Sequence, residues 1–165
     1  MLSTNLCTAQ LCLIQNYLGN TEAELFENIK NDINSFRVYD DSKRDQITFA
    51  YEMNIENHEI SVLATCHFKK NKFYKVHNRF SSNLKNSTDS KGRSIENGYQ
   101  LLYKMQKKLI QEELYTEVKE QEIKCCDMGY YSTRWTKPDR YIILHCFPEE
   151  WYGVPQEVAL VISIQ

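Results

Sequence analysis

Residues 94–111, SIENGYQLLYKMQKKLIQ, carry the clearest helical pattern in the chain. Apolar side chains recur there every three or four residues, so that in a helix they share one side. The predicted core-facing stripe consists of Ile95, Tyr99, Leu102, Gln106, Leu109 and Ile110, with Tyr103 at its edge. Ser94 suits an N-cap, whereas Glu113 and Glu117 would interrupt the stripe. We therefore expect a long helix that starts at Ser94 and leaves the core before Glu113, after which residues 114–124 fray, turn or form a strand.

Two shorter helices are predicted near the N-terminus. Residues 6–18 hold leucine, isoleucine and tyrosine at helical spacing and end before Gly19, a residue that commonly follows a helix. Thr21 then has the features of an N-cap, with Glu22 and Glu24 in the turn that follows it. The apolar side chains of this second helix that share one face are Leu25, Phe26, Ile29 and Ile33. Both helices therefore have a face that can cover a core.

From residue 36 the apolar pattern changes to alternation, which is typical of half-buried strands. The alternation continues to residue 80 and predicts a four-stranded antiparallel meander. Loops of even length at its first two turns pair Val38 with Ile47 and Ile55 with Ile60, which keeps the apolar residues on one face. Each of the four strands therefore directs one set of side chains at a common core.

The last turn of the meander requires a different loop length. An even loop there would place Lys75 opposite Cys66, and a buried face would not accept the lysine. A three-residue loop at residues 70–72 pairs Cys66 with Val76 instead. We therefore predict an odd loop, with Asn71 or a neighbour at positive φ.

Three further strands are predicted after the long helix. Residues 128–135 and 140–147 form a hairpin, and residues 158–164 form the last strand. The runs YIILHCF and VALVISI are almost continuously apolar, which is typical of central strands covered on both faces. Residues 81–93 are polar and without periodicity, and we expect a mobile surface loop there. The predicted fold is a single α+β domain over residues 1–165, made of two N-terminal helices, a four-stranded antiparallel meander, one long helix and three further strands, with the antiparallel sheet packed against the helices.

The composition is that of one globular domain. The 165 residues include 42% apolar and 25% charged residues, and the net charge of −2 argues against a non-specific nucleic-acid binder. No apolar run approaches the roughly 20 residues that a membrane span needs, and the N-terminus lacks the pattern of a signal peptide. We therefore expect a cytoplasmic protein whose six cysteines are free thiols.

The outward face of the last meander hairpin is the first candidate site. Basic or potentially basic side chains alternate along both of its strands, and these are His67, Lys69, Lys75, His77 and Arg79. Such a group can hold a phosphate, a carboxylate or an acidic protein surface. The alternative is an ordinary solvated sheet face.

The start of the long helix is the second candidate. Lys91, Gly92 and Arg93 precede Ser94, and a helix N-terminus presents free N–H groups and a positive dipole to an anion. The spacing does not match a P-loop. We predict an anion-binding site at Lys91, Arg93 and Ser94, with a flexible loop that ends in a helix cap as the alternative.

Neighbouring cysteines and histidines form a third set. Its members are Cys66 and His67, the pair Cys125 and Cys126, and His145 with Cys146. Adjacent cysteines cannot easily reach one tetrahedral ion, and Cys126 could use His145 as a base only if the strands aligned them. Core cysteines are the commoner outcome. We therefore predict no metal, no cofactor and no catalytic residue here.

An acidic and aromatic loop is the fourth candidate. Glu149 and Glu150 are followed by Trp151 and Tyr152, and exposed aromatic residues of this kind are typical interface anchors. We predict that these four residues contact a partner, together with His67 and Lys69 of the basic face. Alternatively, Trp151 folds back to cover a sheet edge.

These patterns favour a small, non-catalytic interaction protein. We expect it to bind a partner protein and to inhibit, neutralise or escort it, as immunity proteins and phage anti-defence proteins do. Frequent Asn, Ile, Lys and Tyr also indicate an A+T-rich genome, which is common in phages and some bacteria. The alternative is an enzyme or sensor of a phosphorylated small molecule or nucleotide that uses the basic site at the start of the long helix.

Overall fold

The computed structural model describes residues 13–41, 45–55, 58–82, 87–88, 90–92, 94–96, 98–114, 119–125, 130–147 and 157–164. Within these residues the chain forms ten strands, two α-helices and one short 3-10 helix. In chain order they are a 3-10 helix (Leu13–Tyr17), α1 (Glu22–Asp32), β1 (Phe36–Asp41), β2 (Gln46–Ile55), β3 (His58–Lys69), β4 (Lys72–Ser82), β5 (Ser87–Thr88), β6 (Ser94–Glu96), α2 (Gly98–Leu114), β7 (Lys119–Cys125), β8 (Tyr130–Thr136), β9 (Arg140–Phe147) and β10 (Glu157–Ile164).

Eight of the strands form one antiparallel sheet in the order β1-β2-β3-β4-β10-β9-β8-β7. The first half is a meander of β1 to β4, and the second half is a meander of β7 to β10. The two halves join where the last strand, β10, pairs antiparallel with β4. Strands β5 and β6 form a separate two-stranded sheet. The almost continuously apolar strands β9 and β10 are central, as predicted.

The predicted fold class is wrong in its count and balance of elements. The described residues hold one α-helix before the sheet rather than two, the main sheet has eight strands rather than seven, and strands predominate. The added strand is β7, in a segment for which the sequence left three outcomes open. Of the first predicted helix, Leu13–Tyr17 forms a 3-10 helix, and residues 6–12 lie outside the described residues.

The 3-10 helix ends because the backbone of the two residues Gly19 and Asn20 forms hydrogen bonds with β4. Gly19 has a φ of +96°, a conformation that suits glycine. The Gly19 N–H donates to the Phe73 carbonyl at 2.7 Å, and the Phe73 N–H donates to the Asn20 carbonyl at 2.8 Å. These two bonds hold the segment against the start of β4, so a longer helix cannot continue through it.

Helix α1 confirms the predicted cap. Thr21 and Glu24 form a capping box, in which the Glu24 carboxylate accepts from the Thr21 N–H at 2.7 Å and the Thr21 hydroxyl accepts from the Glu24 N–H at 3.4 Å. Leu25 and Ile29 are fully buried, and Ile33 at the C-cap is 7% exposed. The helix therefore covers the core with the face that the sequence predicts.

The first two predicted registers of the meander are wrong by two residues. The structure pairs Val38 with Phe49 rather than with Ile47, and Ile55 with His58 rather than with Ile60. The first connection is two residues shorter than predicted, and the second turn is centred one residue earlier. Side chains alternate with a period of two, so a shift of two residues leaves every side chain on its predicted face.

The last turn of the meander combines two features. The predicted three-residue loop is wrong, since Lys70 and Asn71 form a two-residue turn with φ values of +53° and +59°. A bulge between His67 and Phe68 supplies the extra residue that the loop was expected to supply. The predicted pairing of Cys66 with Val76 and the positive φ at Asn71 are both confirmed.

Helix α2 begins at Gly98 and not at Ser94. The predicted N-cap is wrong because Ser94 lies in β6, opposite Thr88 of β5. Two parts of the predicted mobile loop, residues 81–82 and 87–88, belong to strands.

The predicted core-facing stripe of α2 is correct where its side chains are described. Its most deeply buried members are Leu102 at 0%, Gln106 at 1% and Ile110 at 0% exposure.

The core lies between the helices and one face of the large sheet. It combines buried residues of α1, α2 and the 3-10 helix with the alternating apolar residues of β2, β3, β4, β8, β9 and β10. Helix α2 is attached to the second meander by a 2.6 Å hydrogen bond between the Tyr103 and Thr133 hydroxyls. The opposite face of the sheet, directed away from α1 and α2, is called the outer face below.

Gln106 lies buried in this core under α2, and neither oxygen nor nitrogen of its side-chain amide has a hydrogen-bond partner among the described residues. A buried amide without a partner loses its hydration and gains nothing in return. We therefore expect Gln106→Met, which has a similar volume, to raise the free energy of unfolding by about 1–3 kcal/mol in urea denaturation. Gln111→Met, exposed on the same helix, is the control and should change it little. A loss of stability in Gln106→Met would show that the amide is bonded.

Candidate functional site

The outer face of β3 and β4 holds most of the basic residues that the sequence grouped there. In both strands the even-numbered residues of the central part are buried, so His67, Lys75, His77 and Arg79 lie on the outer face. The register places His67 opposite Lys75, His77 opposite Thr65 and Arg79 opposite Leu63. The structure therefore brings these four residues together, as predicted. Lys69 lies opposite Lys72 beyond the bulge, at the exposed end of the hairpin.

His145 of β9 joins this group, although the sequence placed it only beside Cys126 and Cys146. Its ring centroid lies 6.3 Å from that of His77, and the two rings are nearly perpendicular, at 82°. Strand β10 separates the two parent strands, and Ala159 lies opposite both Arg79 and His145. Val161 of the same strand lies opposite His77, so the two rings meet diagonally across β10. We call His67, Lys75, His77, Arg79 and His145 the basic patch.

Burial and neighbouring cations keep the imidazoles of the basic patch neutral. The pKa of His77 is lowered from 6.5 to about 4, first by burial and then by the neighbouring His145, Arg79, Lys75 and His67. Burial also lowers the pKa of His145, and burial together with Lys75 lowers that of His67. At neutral pH the positive charge of the patch is therefore carried by Lys75 and Arg79.

Several polar groups of the basic patch lack a partner inside the described part of the chain. His77 Nε2 is buried and has no hydrogen-bond partner there. Neither Lys75 nor Arg79 forms an ion pair with a described carboxylate. The patch thus offers the two cations Lys75 and Arg79 to a group of opposite charge, which is a carboxylate or another anion.

The cysteines do not take part in this chemistry. Cys66 and Cys146 form no disulfide and are buried, and burial raises the pKa of the Cys146 thiol to about 12. Cys146 donates to the Tyr99 carbonyl at 3.6 Å, on the core face, whereas the adjacent His145 lies on the outer face. Across the described residues, no group of three or more His, Cys, Asp or Glu side chains is arranged to hold a metal ion. Cys126 lies outside the described residues.

The second predicted site loses the feature on which it depended. Because α2 begins at Gly98, Ser94 is not at a helix N-terminus and cannot direct a dipole at an anion. Lys91 is exposed, and Arg93 lies outside the described residues. The predicted partner-binding residues Glu149, Glu150, Trp151 and Tyr152 also lie outside them. Their contact with a partner stays a prediction.

A groove of about 1000 Å³ lies elsewhere on the surface. It runs from the end of α1, at Asp32 and Ile33, across β1 to β4 as far as Tyr99 of α2. Of the basic patch, only Arg79 lines it. The patch is therefore mainly an open surface rather than the wall of a cavity.

The histidines of the basic patch should make the protein sensitive to acid. The pKa of His77 is lower in the folded chain than in the unfolded one, so between pH 6.5 and about 4 the unfolded chain binds a proton that the folded chain does not. The contribution of His77 to the free energy of unfolding is therefore fully present above pH 6.5 and is lost as the pH falls towards 4. The free energy of unfolding, measured by urea denaturation, should fall between pH 7 and pH 4.5 by about 1–3 kcal/mol less in His77→Gln than in the original chain.

His58 provides the matched control, because it is exposed at the start of β3 and lies outside the basic patch. His58→Gln should keep the acid dependence of the original chain. Equal acid dependence in His77→Gln and the original chain would contradict the role of His77.

No protein-family model, no curated protein and no solved structure matches this chain. What the outer face can bind must therefore be inferred from its own residues and their geometry.

Proposed function

We propose that this chain is a binding protein that docks an acidic surface of a partner protein onto the basic patch, and thereby inhibits, neutralises or escorts that partner. The observation that carries this is that Lys75 and Arg79 form no ion pair with the described residues and lie beside the buried Nε2 of His77, which has no hydrogen-bond partner among them. Cations that form no ion pair with the described carboxylates favour an anionic partner.

The shape of the basic patch favours a protein surface over a small ligand. Its residues lie on β3, β4 and β9, and three strand spacings separate β3 from β9. At about 4.8 Å for each spacing, the patch is roughly 14 Å wide. Small-molecule sites are usually concave cavities, whereas this patch shares only Arg79 with the large groove. A wide, open and positively charged face suits several carboxylates on one partner.

The proposal places the protein in the cytoplasm of a bacterium or of a phage-infected cell. The A+T-rich residue usage supports this source, and two described cysteines that form no disulfide, Cys66 and Cys146, fit a reducing compartment. No helix in the described ranges has both the length and the apolar character that a membrane crossing requires.

Charge reversal of the basic patch tests the proposal. The chain is immobilised and exposed to a native bacterial lysate at physiological salt, and a retained protein is then titrated against each variant by calorimetry. Lys75→Glu with Arg79→Glu should weaken its binding at least about 100-fold, since two attractive charge contacts become repulsive. The matched control reverses Lys30 and Lys108, which are exposed on α1 and α2, and should bind as the original chain does.

Two outcomes would overturn the proposal. One is a partner that binds the patch variant and the original chain equally well. The other is the absence of any retained protein together with saturable binding of inorganic phosphate that Arg79→Glu removes, because that result identifies a site for a small anion.

The pH dependence of binding gives a second readout. A carboxylate bound by Lys75 and Arg79 brings a negative charge close to His77 and raises the pKa of this imidazole from its low value, so complex formation takes up a proton. The affinity for the partner should therefore rise as the pH falls from 8 to 5.5, and His77→Gln should reduce that rise. Calorimetry in buffers of different ionisation enthalpy counts the protons directly. Proton release on binding would contradict the proposed contact.

A further inference from the structure

Strand β1 forms one edge of the large sheet and pairs only with β2 among the described strands. In an antiparallel pair, alternate residues direct their N–H and C=O groups away from the partner strand. The outer side of β1 therefore presents backbone donors and acceptors that β2 does not use. An edge of this kind is a template for a further strand.

The side chains of β1 distinguish it from other exposed parts of the fold. The exposed large apolar residues of the described chain are Val38, 40% exposed, and Tyr39, 54% exposed, and both lie in the middle of β1. Arg37 beside them is also exposed. The opposite edge, β7, has the sequence KEQEIKC, in which four of seven residues are charged. Three of the six residues of β1 are charged as well, so its exposed apolar pair and not a lower charge makes β1 the edge that suits a partner.

We propose that β1 pairs antiparallel with β1 of a second copy of this chain, about a two-fold axis at Val38. A two-fold axis perpendicular to a sheet keeps the same face of both copies on one side. In this arrangement Val38 lies opposite Val38 of the other copy, which buries two exposed apolar side chains against each other. Arg37 lies opposite Tyr39 of the other copy, and symmetry repeats that contact. The strand is thus complementary to itself.

Self-complementarity favours a second copy over an unrelated strand. A two-fold contact uses the same surface on both copies and closes at two, so it makes a dimer and not a filament. The contact is small, because β1 has six residues. Stable interfaces bury at least about 1,200 Å² in total, and one short strand pair contributes less than that. The dimer should therefore be weak and depend on concentration.

The dimer would also hold two basic patches at a fixed distance, and the use of that distance rests on the proposed function. The two outer faces lie on the same side of the joined sheet. Seven strand spacings separate β4 from β4 of the second copy. At about 4.8 Å for each spacing, the two patches lie roughly 34 Å apart along the sheet. A dimeric or extended acidic partner could then contact both patches at once and gain from the linkage.

Sedimentation equilibrium tests the pairing on the full chain. Across concentrations from about 10 μM to about 1 mM, a range suited to weak complexes, the weight-average mass should rise from 19.6 kDa towards twice that value. Val38→Lys and Tyr39→Lys should each remove the rise. Asn54→Lys, which adds the same charge at an exposed position of β2, should keep it, and so should the Lys75→Glu, Arg79→Glu variant. Loss of patch binding and loss of dimerisation are thereby separated.

Hydrogen exchange on the original chain provides a readout that needs no variant. Dimerisation through β1 should slow the exchange of alternate β1 amides as the concentration rises, and should leave β7 amides unchanged. A mass of 19.6 kDa at every concentration would overturn the proposal. A dimer that persists in both lysine variants, or slower exchange outside β1, would overturn it as well.

Discussion

The pairing of β10 with β4 is the interaction on which the rest of the structure depends. It joins the meander of β1 to β4 to the meander of β7 to β10, and these are otherwise separate sheets with their own edges. Val158 lies opposite Phe80 and Ile162 opposite Val76, so the pairing places buried apolar residues of both halves side by side. Residues about eighty positions apart must meet for this, which makes it a slow, non-local step in folding. Once formed, it makes one continuous face for both helices to cover.

The same pairing creates the basic patch on the other face. His77 and His145 belong to different meanders, and only the insertion of β10 brings their strands within reach of each other. On β10, Ala159 is fully buried opposite His145, and Val161 lies opposite His77, so the two rings meet diagonally across this strand. The patch therefore depends on the strand order as much as on the basic residues themselves. A protein that folded only its first meander would keep His67, Lys75, His77 and Arg79 but would lose the second imidazole.

Local patterns predicted the parts of the fold that depend on neighbouring residues. The capping box of α1, the core stripe of α2 and the inward-facing residues of the meander all follow from a period of 3.6 or 2. Side chains alternate between the two faces of a strand, so a register error of two residues leaves each side chain on its predicted face. The basic residues of β3 and β4 were therefore predicted on the outer face although two hairpin registers were wrong. No local pattern shows that β10 inserts beside β4, so the contact of His145 with His77 could not be predicted. Ser94 failed as a cap because its pairing with Thr88 is likewise not a local property.

The basic patch links the stability of the chain to its proposed use. Burying His77 beside cations makes the folded chain a poorer proton acceptor than the unfolded chain, which is a cost that grows as the pH falls. An acidic group bound at the patch would raise the pKa of His77 again, because its negative charge favours the protonated imidazole. The bound and unfolded chains then hold similar numbers of protons, and acid no longer favours unfolding through this residue. The feature that weakens the free protein in acid is therefore the one that would stabilise its complex there. Burial of the large shared core, with β10 at its centre, stabilises the fold and offsets the destabilisation that His77 causes in acid.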